Sequence, residues 1–372
     1  MKKSLHLVSF DVPYPPNYGG IIDVFYKIKE LKKLDISIYL HTFLYDDKTE
    51  QKELEKYCEE VFYYKRKKNI RSLFSKTPFI VKTRENDTLV KNLNSIKAPI
   101  LFEGLHTMAS LSSENFEVKT YVRTHNIEHE YFLGLAKSER NIFKKSFFYS
   151  ESWKLKHFEK QLSKSDGIFT ISPHEQNYFI SVYGKKCEYI PAFHQTKTVE
   201  NHTNKGNFIL YHGDLRVSDN VKAALFLIDV YKNSNYKFII ASSSINKLVI
   251  KEINKYKNIG FTDIPNQKVL VELFTKAHIN TLLTFQKTGI KLKLLNALYQ
   301  GKFIIANNKM IEDTGLESLC ELANTKEQIL QKTAKFFASE FTKKEGDKRQ
   351  EKLVDFNPST SAKKIVATIF KQ

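Results

Sequence analysis

Short, almost wholly apolar runs alternate along this chain with longer stretches whose apolar positions recur every three or four residues. The first half reads "SLHLVSF", "IIDVFYKIKELKKL", "SIYLHTFLY", "KTEQKELEKYCEE" and "EVFYYK" in succession. Runs of the first kind suit strands covered on both faces, and stretches of the second kind suit amphipathic helices crossing back over a parallel sheet. "PILFEG", "KTYVRTH" and "DGIFTIS" continue the strands, with a polar-aromatic helical region over roughly residues 130–164 between the last two. Periodicity then lapses in "YIPAFHQTKTVENHTNKGN", residues 189–207, which reads as an interdomain linker. Alternation resumes with "NFILYHGDL", "DNVKAALFLIDVYK", "YKFIIASS", "NQKVLVELFTKA", "HINTLLTF" and "KFIIANN". The pattern predicts two doubly wound α/β domains, residues 1–195 and 205–358. An amphipathic closing helix over 359–372 would pack back across them.

Composition adds size and environment. At 372 residues the chain exceeds one hydrophobic core, and 41% hydrophobic residues supply two. No apolar run approaches the ~20 residues of a bilayer span. Cys58, Cys187 and Cys320 are scattered and form no Cys-x-x-Cys pair, which points to a reducing compartment, the cytoplasm, and away from a structural zinc. A formal charge of +18 gathers anions such as phosphate-bearing substrates and anionic lipid. The densest basic run, Tyr63 to Lys76 in "YYKRKKNIRSLFSK", interleaves cations with aromatic and apolar residues. Two readings stand, a solvated helix face with a few buried aromatics and a peripheral contact with an anionic membrane, at the inner face. There is no recognition-helix or RNA-binding signature, so nucleic acid is not an expected partner.

The segment with the most chemistry is "GIKLKLLNALYQGKFIIANN", beginning at Gly289. On a helical wheel Gly289, Lys293, Asn296 and Gln300 form one polar stripe beside apolar Ile290, Leu294 and Leu298. A lysine in the first turn of a helix opposes the dipole unless an anion sits between them. With the exposed N–H groups of that turn, Lys293 and Lys291 define an expected phosphate site, and Asn296 lies one turn deeper for a hydroxyl.

"GIKLKLLNALYQGKFIIAN" resembles the donor segment of retaining GT-B glycosyltransferases of family 4. The resemblance continues through "VPYPPNYGG", "YVRTHNIEHEYF", "DGIFTISPHE" and "YHGDLRVSDNVKAALFLI", in order along nearly the whole chain. It implies a GT-B fold of two Rossmann-like domains facing a central cleft, the amino-terminal one binding acceptor and the carboxy-terminal one donor. Lys293, helped by Lys291, matches the lysine that neutralises the donor diphosphate. Asn296 stands where the family carries a ribose-binding glutamate. Gly19 and Gly20 match the amino-terminal glycine loop, His125 a histidine near the reacting sugar, and Gly213, Gly289, Thr314 and Gly315 further donor-side positions. The arginine and lysine that often follow the first strand of the second domain are not recognisable, and only Arg216 lies nearby as a donor-side candidate. The family's pair of glutamates reads here as Thr288 and Asn296.

The implied reaction moves a hexose, mannose among the readings, from a GDP- or UDP-linked sugar to a glycan or lipid-linked acceptor in polysaccharide synthesis. No Asp-x-Asp sequence occurs, so neither metal nor other cofactor is expected. Glu103, His106 and Arg123 read as acceptor-side groups or loop structure, and Arg123 and Glu128 as an ion pair or loop anchors. Alternatives are a GT-B nucleotide-sugar epimerase and a non-catalytic nucleotide-sugar-binding protein.

Overall fold

A computed structural model describes residues 3–45, 48–139, 141–200, 204–286 and 291–371. The chain divides into two units, one holding the residues up to 195 and those from 355 onward, the other the residues between. The first contains seven parallel strands: β1 (Ser4–Ser9), β2 (Ser37–Leu44), β3 (Glu60–Lys65), β4 (Ile100–Glu103), β5 (Thr120–Arg123), β6 (Gly167–Thr170) and β7 (Cys187–Tyr189), in the order β3-β2-β1-β4-β5-β6-β7. The second contains β8 (Ile209–His212), β9 (Phe238–Ser242), β10 (Ile259–Asp263), β11 (Ile279–Leu282), β12 (Phe303–Ala306) and β13 (Glu321–Leu322), in the order β10-β9-β8-β11-β12-β13. Strand order reverses between β1 and β4 and again between β8 and β11. In such sheets ligands bind just beyond the carboxyl ends of the strands at the reversal.

Two helices show how the first unit closes. The Gly19–Lys33 helix buries Ile21, Val24, Phe25, Ile28 and Leu31. The Pro358–Ile369 helix starts on proline, which is preorganised for a first turn, with the Asn357 side chain accepting from Ser359 N. Its Ala362, Ile365 and Ile369 enter the same core as the first helix.

Two stretches differ from the expected elements. "KTEQKELEKYCEE" forms only one helical turn, Lys52–Glu55, because Leu54 alone is buried within it and the chain must extend into β3 at Glu60. The region over residues 130–164 is broken into helices Glu128–Ser138 and Ile142–Phe158 followed by a 3-10 segment, Glu159–Lys164. Asn141 caps the second helix, its side chain accepting from Phe143 N and Lys144 N.

Under the first sheet a chain of hydrogen bonds fixes two histidine tautomers. His6 Nε2 donates to Ile96 O at 2.9 Å, so His6 Nδ1 accepts from His41 Nε2 at 2.9 Å, and His41 Nδ1 accepts from the Tyr64 hydroxyl at 2.8 Å. Burial holds both imidazoles below the ordinary 6.5. A group whose folded pKa is depressed contributes stability that is present above its ordinary pKa and lost as pH falls. Urea denaturation of the wild-type chain should therefore show the first unit weakening between pH 7 and pH 5, and His41→Phe should flatten that dependence. A wild-type profile without slope in that window would refute the account.

Candidate functional site

In the second unit the end of β8 runs into Gly213, and the Ser218–Tyr231 helix begins just beyond it. Asp219 in its first turn accepts from the Thr284 hydroxyl at 2.8 Å and from Phe285 N at 3.1 Å, tying this helix to the end of β11. Asn220 is held by its Nδ2, which donates to Asp214 O at 2.9 Å. Its Oδ1 accepts from Lys293 Nζ at 2.8 Å. A Cβ on residue 213 would come within 3.1 Å of the Asn220 side chain, so Gly213 leaves the space that Asn220 occupies.

Lys293 lies in the first turn of the Leu292–Gln300 helix, with Lys291 at its N-cap. The ammonium sits 5.5 Å over the Tyr211 ring. Burial lowers its pKa to about 8, with Lys291 pushing the same way and Asp219 opposing. A cation that is desolvated, next to a second lysine and at the positive end of a helix is poorly compensated by one amide oxygen. The arrangement is suited to an anion. Asn296 follows one turn later and is half-buried, whereas Gln300 is buried and donates to the Thr196 hydroxyl at 2.9 Å. Gly289 and Thr288 lie outside the described residues.

Beside this group, His212 at the end of β8 has neither ring nitrogen hydrogen-bonded. Burial, and secondarily the Lys293 charge, hold its pKa down to about 3, so the ring is neutral. Arg216, expected on the donor side, is instead folded onto Asp214, with Nε at 3.0 Å and Nη2 at 2.7 Å from the carboxylate. Burial raises the Asp214 pKa, but bonds from Arg216 and Ser244 outweigh it and keep the group ionised. Thr314 and Gly315 occupy a separate loop, where both backbone N–H groups donate to Glu317 Oε1 at 3.0 and 3.3 Å.

The first unit assembles its own group at the ends of β1, β4 and β5. Gly19 and Gly20 open the first helix, and a Cβ on Gly20 would lie 2.7 Å from the Phe10 ring. The glycine thus lets Phe10 lie against the helix start, where it meets His106 at 5.3 Å and the edge of His125 at 5.4 Å. Gly104, at φ +71°, supplies the left-handed turn between Glu103 and His106.

Beneath lies a buried ionic cluster. Arg123 donates Nε and Nη2 to Asp23 at 2.8 Å each, and Lys27 Nζ bridges Asp23 at 2.9 Å and Glu103 at 2.6 Å. His125 Nε2 donates to Glu103 at 2.8 Å. Two carboxylates balance two cations within the cluster. The His125 Nδ1 atom is buried without a hydrogen-bond partner. Asp23, Glu103 and His125 bring three ligand-type atoms within 4.8 Å, but Lys27 and Arg123 already serve the carboxylate oxygens.

This corrects part of the sequence reading. Arg123 pairs with Asp23 and not with Glu128, which is fully buried, 3.9 Å from His106 Nδ1 and raised to about 7 by burial. Glu103 and Arg123 face inward, where they support His125, so neither is open to an acceptor. Sequence reasoning missed Asp23, Lys27 and Asn220. The available signal was two charges of opposite sign four residues apart inside the apolar "IIDVFYKIKEL".

The chain matches no protein-family model. It is 25% identical to an uncharacterized 44.6 kDa protein in the cps region of Klebsiella pneumoniae, over 98% of each chain. Among solved structures it resembles a glycosyltransferase from Rickettsia africae (14% identity, TM-score 0.69, 100% and 99% of the chains covered). It also resembles sucrose-phosphate synthase from Thermosynechococcus elongatus (13%, 0.68, 98% of each) and S. aureus TarM with UDP (12%, 0.64, 100% of each). The fold is GT-B. Within it the Lys293 group belongs to the carboxy-terminal Rossmann-like unit and the His125 group to the amino-terminal one.

Proposed function

We propose that this chain is a retaining, metal-independent glycosyltransferase moving a hexose from a nucleotide-diphosphate sugar to a glycan or lipid-linked acceptor. The carrying observation is Lys293, a desolvated cation in the first turn of a helix at the reversal of the second sheet. Departure of a nucleoside diphosphate builds negative charge, and a preorganised ammonium beside helix N–H groups stabilises it. Lys293 serves as the diphosphate clamp, Lys291 adds long-range attraction, and Asn296 bonds a ribose hydroxyl. His125 offers its unpartnered Nδ1 to a sugar hydroxyl. GT-B likeness along the whole chain and a relative from a cps region support the reading and favour polysaccharide synthesis. TarM was solved with UDP, which favours a UDP-linked donor over a GDP-linked one. The basic run Tyr63 to Lys76 favours work at the inner face of a membrane.

A second reading, a non-catalytic nucleotide-sugar-binding protein, draws on Asn296 in place of a carboxylate and on Arg216 being committed to Asp214. Both readings predict that UDP, GDP, ADP or dTDP raises the melting temperature with EDTA present. Ligand at a hundredfold excess over Kd adds about 2.7 kcal/mol. Only the enzyme reading predicts slow release of free sugar or acceptor-dependent nucleotide release from the matching nucleotide sugar. A panel without any shift would remove both.

A further inference from the structure

The Ile142–Phe158 helix carries apolar side chains on two sides. Leu155 is buried inward, while Ile142, Tyr149 and Trp153 are 65%, 43% and 62% exposed. Spaced seven and four residues apart, these three fall on one outward face. Phe143, 83% exposed, lies on the flank that also carries Phe147 and Lys154. That flank meets the 3-10 segment Ile70–Phe74 through Lys154 Nζ, which donates to Leu73 O at 2.8 Å, and the next helical turn, Phe79–Lys82, through Phe147, which packs edge-on to Phe79 at 6.1 Å. The segment in turn exposes Ile70 by 74% and Phe74 by 87%. Soluble monomers rarely leave so many large apolar groups uncovered in adjoining elements.

Within the two segments the exposed charges have one sign, while Glu139, just before the second, accepts from Asn141 N. Residues 65–77 contain no acid, and in 141–164 the two acids, Glu151 and Glu159, are buried and bonded within the unit. Lys67, Arg71, Lys76, Lys144, Lys156 and Lys160 are exposed. A second copy of the chain placed on this face by two-fold symmetry would set cations against cations. An anionic bilayer complements both features, accepting the aromatic and aliphatic tips below its headgroups and the lysines at its phosphates.

We infer that the face formed by Ile70–Phe74 and the outer side of Ile142–Phe158 docks the amino-terminal unit on an anionic lipid surface. This deepens the membrane placement proposed above, moving its centre from the basic run to a helix that the run packs against. It also rests on a binding event that needs no nucleotide.

The test is cosedimentation of the intact chain with vesicles of phosphatidylcholine alone or mixed with phosphatidylglycerol, at low and high salt. Wild type should pellet with the mixed vesicles only, and less at high salt. Phe74→Glu and the pair Phe143→Glu with Trp153→Glu, all at exposed positions, should each weaken pelleting about tenfold or more while melting like wild type. Equal pelleting with neutral vesicles, or variants that pellet like wild type, would overturn the assignment. So would a dimer in gel filtration that the paired variant abolishes. The nucleotide shift measured on the same variants should be unchanged, so loss of vesicle binding is separable from failure of the enzyme reading.

Discussion

Lys293→Ala is expected to abolish the stabilisation that a nucleoside diphosphate confers on the wild-type chain, and to lower turnover by roughly 10²–10³. The ammonium can pair with a diphosphate as a point charge while remaining close to helix N–H donors. Its removal leaves Asn220 to bond through its other contacts and relieves a desolvated cation, so the variant should fold at least as well as wild type. The pH dependence gives an independent check. In the free protein the amine loses its proton near pH 8, whereas a bound diphosphate favours the protonated form. Nucleotide affinity in the wild type should therefore weaken as pH rises above about 8, and the Lys293→Arg variant, charged throughout, should lack that decline. Isothermal titration across pH 7 to 10 measures both. An unchanged affinity in Lys293→Ala would remove the site assignment.

The second large effect is on stability. Asp23→Ala leaves Arg123 and Lys27 buried with only Glu103 between them, and uncompensated buried charge costs about 3–5 kcal/mol. Urea unfolding followed in the amino-terminal unit should shift to markedly lower denaturant, with the carboxy-terminal unit's transition unmoved. The cluster also sets acid sensitivity. Burial alone would raise Asp23 and Glu103, but Arg123 and Lys27 respectively outweigh it and hold both carboxylates below their ordinary range. Their contribution is full above that range and disappears as pH falls through the depressed values. A small, pH-independent loss in Asp23→Ala would show that the cluster is not the anchor of His125.

The alternation of strands and helices and the lapse near residue 190 were legible because periodicity is a local property, set by which side of each element faces a core. Lys293 and Lys291 were legible for a related reason, since charge in the first turn of an apolar helix is anomalous without reference to any other segment. Gly20 was found as part of a motif, but its physical role, the space for Phe10, depends on a ring from the end of β1. The short Lys52–Glu55 turn was overestimated because helix propensity without a buried stripe does not hold a helix.

By itself the sequence determined the two-unit α/β architecture, its parallel strands and the location of one cationic helix start. Tertiary structure decided the partners. Arg123 meets Asp23 across 100 residues, Glu103 turns inward to hold His125, and Arg216 closes onto Asp214. It also decided which aromatics of residues 142–158 stay outside. Those outcomes depend on distances between separate strands and on competition for buried charge, which residue type and spacing along one chain do not encode.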